Sequence, residues 1–189
     1  MSGKPTREQI IETADRLFYQ QGFEHTSFAH IADAVRISRG NFYYHFKSKD
    51  EILSAVIRHR LANTGKMLES WQAQADTPRD RIRCFIHILL VNGDKIRNYG
   101  CPVGTLSSEL AKLNHSAQGE ANELFTLFHD WLKSQFVQLG HRRDAGQLAA
   151  HLLSRSQGVA TLFNAFGDEK FVRREVGQMC EWLDDITNQ

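Results

Sequence analysis

The apolar residues of this chain recur with a helical period almost from end to end, and no alternating strand pattern stands out. Pro5, Pro78 and Pro102, the only prolines, each stand where a helix is predicted to start, because proline is tolerated in the first turn of a helix but not in its interior. The pattern predicts an all-α fold of about nine helices. They begin near residues 6, 26 or 27, 38, 48, 78, 101, 116, 144 and 168.

Local capping signals support several of these starts. The residues Thr6 to Gln9 and Ser48 to Glu51 both have the form of a capping box. Ser38 is a suitable N-cap for the third helix, and Gly22 is a suitable C-cap for the first. The apolar run from residue 84 to residue 91 is predicted to be a buried central helix rather than a strand, because a proline precedes it and the whole segment is long.

The chain of 189 residues with 41% hydrophobic content suits one compact domain or two small ones that share a core. The polar start of the sequence and the shortness of its apolar runs argue against a cleaved signal and a membrane span. The three widely spaced cysteines argue against a disulfide framework, and neither cysteines nor histidines have metal-ligand spacing. We therefore expect a soluble cytoplasmic protein with no metal and no cofactor.

Residues 38 to 51, SRGNFYYHFKSKDE, place a run of aromatic side chains between cations. The turn between the second and third predicted helices has the length found in helix-turn-helix motifs. In that motif the second helix enters the major groove of DNA, and its N-terminal residues meet base edges. Here those residues are Ser38, Arg39, Gly40 and Asn41. Arginine can bind guanine, asparagine can bind adenine, and a glycine leaves room for close approach.

The aromatic run divides between two faces of the third helix. Phe42 and Phe46 are four residues apart and share one face, which predicts that they pack on the first two helices. Tyr43 and Tyr44 are then free to reach phosphates, or in the case of Tyr44 a base. The alternative is a corner of aromatic core with a solvated charged rim and no partner.

Positive charge is concentrated in the same stretch, although the net charge of the whole chain is only +1. Residues 36 to 49 contain four cations and no acid, and Lys47 and Lys49 flank the start of the fourth helix. The free N–H groups of that helix start are also suited to binding phosphate. The charge therefore lies where a DNA duplex would lie.

Residues 8 to 55 closely resemble the TetR family of bacterial transcriptional regulators. The segments HTSFAHIADAVRIS and SRGNFYYHFKSKDEIL resemble the second helix, the turn and the signature of that family. The resemblance implies a helix-turn-helix DNA-binding domain over residues 1–48, which we call the head, and a helical ligand-binding and dimerisation domain over residues 49–189, which we call the body. It implies a homodimer that is released from a palindromic DNA operator by a ligand or a stress signal.

Carried over by position, the resemblance implies phosphate contacts from Thr26, Ser27, Tyr43, Tyr44 and Lys49, and base contacts from the residues that begin the third helix and from Tyr44. The turn departs from the family pattern, because Arg36 stands where a glycine is common. An arginine with a positive φ would be strained, although its cation could reach a phosphate.

The last two predicted helices carry apolar stripes that either complete the core of the subunit or form a dimer face. The resemblance implies a four-helix dimer interface from these helices. The dimer candidates are Leu152, Val159, Phe163, Val176, Met179 and Leu183.

Cys101 lies between Gly100 and Pro102 at a predicted helix start, a position that favours the reactive thiolate. Some TetR-like regulators sense electrophiles or oxidants through a cysteine in a related setting, and the alternative is an unreactive, packed thiol. Cys84 and Cys180 lie in apolar stripes and are expected to be packing residues.

Polar and aromatic residues of the body are the other candidates for an inducer site. A few polar groups in an apolar cavity orient a bound ligand. The candidates are His87, Tyr99, Thr105, Phe128, Trp131 and Phe163. Two other functions stay open: a DNA-binding regulator that answers to a protein partner, and an enzyme with Cys101 as nucleophile and His87 or His115 as base.

Overall fold

A computed structural model describes residues 5–187 and confirms the all-α fold, with ten helices and no strand in that range. The helix bounds are α1 Thr6–Gln21, α2 Phe28–Val35, α3 Arg39–His45, α4 Lys49–Gln74, α5 Pro78–Val91, α6 Gly93–Tyr99, α7 Pro102–Lys112, α8 Gln118–Gln138, α9 Ala145–Phe166 and α10 Glu169–Thr187. The polar start of the sequence, residues 1–4, lies outside the described residues. Within residues 5–187, no helix combines the length and the apolar character that a membrane span needs.

One of these helices, α6, was not predicted from the sequence. It is only seven residues long and follows the apolar run without a proline or a side-chain cap. Its single buried residue is Ile96, so it carries no stripe from which a helix can be recognised in the sequence.

The capping predictions have mixed outcomes. Gly22 ends α1 with a φ of 86°, and Ser38 accepts a hydrogen bond from the Asn41 backbone N–H, as predicted. The capping box at Thr6 is wrong, because α1 begins at that residue and Pro5 occupies the N-cap position without a side-chain bond. The backbone N–H groups of the first turn donate instead to the Pro5 carbonyl.

The contacts within the chain divide it into two compact units. The first comprises the described residues up to Asn63 together with Thr105–Leu124. Its core is built from α1, α2, α3, the start of α4 and parts of α7 and α8. Phe42 and Phe46 are 1% and 0% exposed in that core, which confirms their prediction as packing residues. The unit thus contains the predicted head with further helical segments packed on it.

The second unit comprises Thr64–Gly104 and the described residues from Phe125 onward. In it α5 packs on α9 and α10, and α9 also contacts α6. The buried side chains on α5 are Ile82, Phe85, Ile86 and Leu89, whereas His87 and Val91 are exposed. The segment is therefore a helix, as predicted, with one face open rather than buried all round.

Candidate nucleic-acid interface and ligand cavity

The turn between α2 and α3 forms a Schellman motif around Arg36. The Arg36 backbone N–H donates to the Asp33 carbonyl, and the Ile37 N–H donates to the Ala32 carbonyl. Arg36 has a φ of 59°, so the strain considered for this position is present and costs a non-glycine residue about 1–2 kcal/mol. The exposed guanidinium at this helix end stays available to an anion.

The start of α3 presents Arg39, Gly40 and Asn41 to solvent. Nothing lies within 4 Å of a Cβ placed on Gly40, so packing within the chain does not explain a glycine there. Tyr43, half exposed, stacks on Phe28 with a centroid distance of 5.5 Å and an interplanar angle of 16°. The ring of Tyr43 is thereby held in a defined position while its other side stays open.

The N-terminus of α2 is capped by a reciprocal pair of hydrogen bonds. The Ser27 hydroxyl oxygen accepts from the His30 backbone N–H at 3.2 Å, and the His30 Nδ1 accepts from the Ser27 backbone N–H at 3.4 Å. The histidine takes the place of the glutamate or glutamine of an ordinary capping box. Both side chains are exposed, and the Ser27 hydroxyl proton and the His30 Nε2 remain for an external partner. The S-x-x-H spacing could have indicated His30, which our sequence analysis missed.

The burial of Thr26 contradicts the phosphate contact that the resemblance implies for this residue. It is 0% exposed, and its hydroxyl donates to the Gly22 carbonyl at 2.7 Å. The sequence does not show this burial, because the periodicity of α2 says nothing of how the loop before that helix folds back toward the end of α1.

The two lysines of the motif make contacts within the chain. The Lys49 ammonium donates to the carbonyls of Phe23 and Glu24 at 3.0 and 3.3 Å and lies 4.1 Å from the centroid of the Phe23 ring. The Lys47 ammonium donates to the Tyr43 carbonyl. Lys49 therefore helps to hold the loop between α1 and α2.

A partly enclosed cavity of about 80 Å³ lies within the second unit. Its wall is mostly apolar, with a few polar groups. The Cys101 Sγ lies 3.5 Å from the Gln157 Nε2, which donates to it. The lining residues are Phe85, Ile88, Leu89, Asn92, Ile96, Cys101, Pro102, Val103, Phe125, Phe128, Leu153, Ser156, Gln157 and Ala160.

Only Cys101 and Phe128 of the predicted sensor residues line this cavity. His87, Tyr99 and Thr105 are exposed and do not line it, because their positions fall on the outer faces of their helices. Trp131 packs against Trp71 instead, and Phe163 lines a separate open pocket. Asn92, Ser156 and Gln157 are the polar lining groups, and the sequence alone does not place them on one wall.

The other two cysteines have surroundings that oppose thiolate formation. Burial, and then the nearby Asp80 carboxylate, raises the pKa of the Cys84 thiol. Burial is also the largest cause of the raised pKa of Cys180. These shifts agree with the interpretation of both as packing residues. Among the described residues, no group of three or more histidines, cysteines and acids is placed to hold a metal ion.

The six predicted dimer residues are buried within the subunit, between 0% and 4% exposed. The apolar stripes of α9 and α10 were correctly recognised, but they face the core of their own unit. The opposite face of α9 carries Ser154, Gly158 and Leu162 at four-residue spacing, all exposed. Phe166, 77% exposed, continues this face toward the end of the helix.

Comparison with known proteins agrees with this architecture. Residues 10–56 match the family model of bacterial regulatory proteins of the tetR family. The crystal structure of a TetR transcriptional regulator from Legionella pneumophila is 26% identical, has a TM-score of 0.83, and is aligned over 98% of this chain and 99% of that chain. The matched segment therefore belongs to the TetR family, and the whole chain has the fold of a TetR regulator.

Two curated relatives extend the similarity beyond the matched segment. An uncharacterized HTH-type transcriptional regulator from the lacX 3′ region of Lactococcus lactis subsp. lactis is 31% identical over 123 residues, which is 64% of this chain and 63% of that protein. The HTH-type transcriptional repressor DhaR of Mycobacterium sp. (strain GP1) is 24% identical over 70% of this chain and 65% of the repressor. The alignments thus span slightly less than two thirds of these relatives.

Proposed function

We propose that this TetR-family chain is a DNA-binding transcriptional regulator that acts in the cytoplasm as a repressor. The observation that carries the proposal is the division of α3 into two faces. Phe42 is buried in the core, and the helix start with Arg39 and Asn41 is open to solvent. This is the arrangement that a recognition helix needs, since its first turn has to enter the major groove while its other face stays packed.

The base contacts in this proposal come from Arg39 and Asn41. Gly40 allows the helix backbone to approach the DNA closely, and Tyr44 is a further candidate for a base contact. Ser38 orients the first turn through its bond to the Asn41 N–H, 3.3 Å long. Because an arginine can donate two parallel hydrogen bonds to guanine, the proposed contact of Arg39 discriminates among bases.

The phosphate contacts in this proposal come from both sides of the helix-turn-helix. Ser27 and His30 would donate from the start of α2, Tyr43 from α3, and the exposed Arg36 from the turn. Lys47 and Lys49 add positive charge, and each ammonium keeps at least one N–H for a phosphate beyond the bonds described above.

Arg39→Ala is expected to weaken binding to the specific operator by about 1–3 kcal/mol and to relax base preference at one position of each half-site. The measurement is fluorescence anisotropy with DNA from upstream of the gene, beside a scrambled duplex. Lys47→Ala is the matched control, since loss of a phosphate contact weakens binding to both duplexes and lowers the salt dependence. Unchanged specific binding by Arg39→Ala would show that α3 does not read the sequence in this register.

The named relatives support regulation rather than catalysis, and we set the cysteine-enzyme hypothesis aside. The two curated relatives are named transcriptional regulators, one of them a repressor. The Cys101 thiol has the Gln157 amide as a partner, and His87 approaches the Arg83 carbonyl at the surface instead.

The regulator is proposed to act as a homodimer whose subunits meet through the exposed face of α9. This face replaces the buried residues named from the sequence. Gly158 has open space around it, and Leu162, 44% exposed, is an apolar side chain without cover. Small residues beside a leucine allow two helices to approach closely, and a two-fold dimer uses the same face of both copies.

Leu162→Asp is expected to raise the dimer dissociation constant more than about tenfold, because each dimer would bury two carboxylates without partners. Sedimentation equilibrium measures this constant. Val137→Asp is the matched control, because Val137 is an apolar residue of similar exposure, 38%, on α8. If the two variants dimerise equally well, the proposed face is wrong.

The inducer is proposed to occupy the cavity that contains Cys101. An engineered protein cavity of about 150 Å³ binds benzene, so a cavity of about 80 Å³ suits a smaller molecule unless it widens. The apolar wall favours an apolar ligand, and the Gln157 amide offers it a hydrogen bond. Release by a reversible ligand and release by thiol modification would thus use the same site. A concave, mostly apolar cavity with a few polar groups favours a small molecule over the alternative of a protein partner.

Treatment with a small thiol-reactive electrophile is expected to release the operator from the wild type and leave Cys101→Ser bound. Anisotropy of labelled operator measures release. Cys84→Ser and Cys180→Ser serve as controls and should respond like the wild type, since burial opposes the thiolate at both positions. Release of Cys101→Ser by the same treatment would exclude the thiol switch. If the electrophile does not release the operator from the wild type, a reversible ligand remains as the proposed inducer.

A further inference from the structure

Two buried polar atoms of α8 have no hydrogen-bond partner within the described part of the chain: the Trp131 Nε1 and the Gln135 Oε1. The residues are four positions apart and therefore neighbours on one helix face. Gln135 is only 1% exposed. One atom is a donor and the other an acceptor, so a single group that both accepts and donates would satisfy the pair.

The orientation of the Gln135 amide follows from its other contacts. Its Nε2 donates to the Ser134 Oγ at 3.0 Å and approaches the Trp131 carbonyl at 3.5 Å. The Ser134 hydroxyl itself donates to the Trp131 carbonyl at 2.7 Å. Because its proton is used in that bond, the Ser134 hydroxyl can only accept from the Gln135 amide. The amide nitrogen of Gln135 therefore faces Ser134, and the amide oxygen is the atom without a partner.

The Trp131 indole is held by the C-terminal part of α4. Its ring centroid lies 5.7 Å from that of Trp71, with the planes inclined by 60°. Arg81 ties the adjoining segments together, because its guanidinium donates to the Ala75 carbonyl and reaches the Gln138 side chain. The indole N–H is buried in this packing, one helical turn from Gln135.

Buried polar groups in native proteins are nearly always hydrogen-bonded, to protein or to an ordered molecule. An indole N–H only donates and an amide oxygen only accepts. A hydroxyl group satisfies both at once, whereas an ammonium only donates and a carboxylate only accepts. We propose that Trp131 and Gln135 form a binding site for one hydroxyl group, which accepts from the Trp131 Nε1–H and donates to the Gln135 Oε1.

Two sources supply this chemistry: a single water molecule, or the hydroxyl of a small alcohol. Nuclear magnetic resonance of protein labelled with ¹⁵N-tryptophan observes the three indole N–H groups, and Trp131→Phe identifies the signal of Trp131. In the wild type, this signal should show a cross-peak to immobilised water, or to the methyl protons of 2-propanol when that probe is added. A water cross-peak that persists at high 2-propanol identifies water, and saturable replacement identifies an alcohol site.

Gln135→Met removes the acceptor while keeping a side chain of similar length. In this variant the cross-peak should vanish and the Trp131 indole proton should move upfield, with the signals of Trp71 and Trp182 retained as a control for folding. The wild-type spectrum decides the question even if the variant does not fold. A folded wild type whose Trp131 N–H contacts neither water nor 2-propanol would overturn the proposal.

Discussion

Phe46→Ala is expected to lower the free energy of unfolding of the first compact unit by about 3–5 kcal/mol, which is the cost of removing a large aromatic side chain from a packed core. Phe46 is 0% exposed and lies at the end of α3, and the Arg7 guanidinium covers its ring at 4.8 Å. Typical domains have only about 5–15 kcal/mol of stability in total, so the recognition helix would lose its support and operator binding would fall with it.

Urea unfolding followed by circular dichroism measures the loss at Phe46. Tyr44→Ala is the matched control, because Tyr44 is an aromatic residue of the same helix that is 78% exposed. Its removal is expected to change stability by less than about 0.5 kcal/mol while weakening DNA binding. Equal stability of the two variants would mean that the side chain of Phe46 contributes nothing to the core.

Glu109→Ala is expected to cost about 2–3 kcal/mol of stability and to weaken operator binding, because Glu109 holds the loop between α1 and α2. Its carboxylate accepts from the backbone N–H groups of Phe23 and Glu24 at 2.9 and 3.0 Å. Lys49 binds the carbonyls of the same two residues. The two charged side chains together bind three consecutive peptide groups of the loop that leads into α2.

The local packing explains why glycine precedes this loop. A Cβ on Gly22 would lie 2.9 Å from a carboxylate oxygen of Glu109, and the φ of 86° is unfavourable for other residues. Removal of Glu109 leaves the nearly buried Phe23 N–H without its acceptor. The loop ends at Ser27, whose hydroxyl is a proposed phosphate contact, so its disorder should reduce affinity for all DNA sequences alike.

Thermal unfolding and anisotropy with two duplexes test this expectation for Glu109. Glu109→Gln keeps one acceptor oxygen and should lose about half as much stability. Glu123→Ala, which removes an exposed carboxylate of the same unit, controls for the change in net charge. Wild-type stability of Glu109→Ala would show that the loop is held without this carboxylate, and a loss confined to one DNA sequence would contradict a general role in backbone binding.

The sequence predicted the caps and the burial of residues whose environment depends on local interactions. Ser38 caps α3 because its hydroxyl reaches an N–H three residues away, and Gly22 ends α1 because its backbone tolerates a positive φ. The burial of Phe42 and the exposure of Arg39 follow from the helical period. Family resemblance strengthened the DNA-binding interpretation over the same short segment.

Other contacts depend on how loops and distant segments fold, which a local pattern does not show. Thr26 is buried by the folding of the loop before α2, and the Lys49 ammonium donates to carbonyls that lie 25 and 26 residues earlier. The stripe of α9 that contains Leu152 is apolar whether it meets its own subunit or a second one, so periodicity cannot choose between them. The helix α6 buries only Ile96 and leaves no periodic signal.

The sequence by itself determined an all-α TetR-type chain, the position of its helix-turn-helix and the face of α3 that stays open, because each depends on helical spacing and on caps within a few residues. Only the tertiary structure decided which residues line the cavity around Cys101, which face of α9 remains uncovered, and which polar atoms beside Trp131 are buried. These depend on the packing of helices distant in sequence, which places side chains together that share no local pattern.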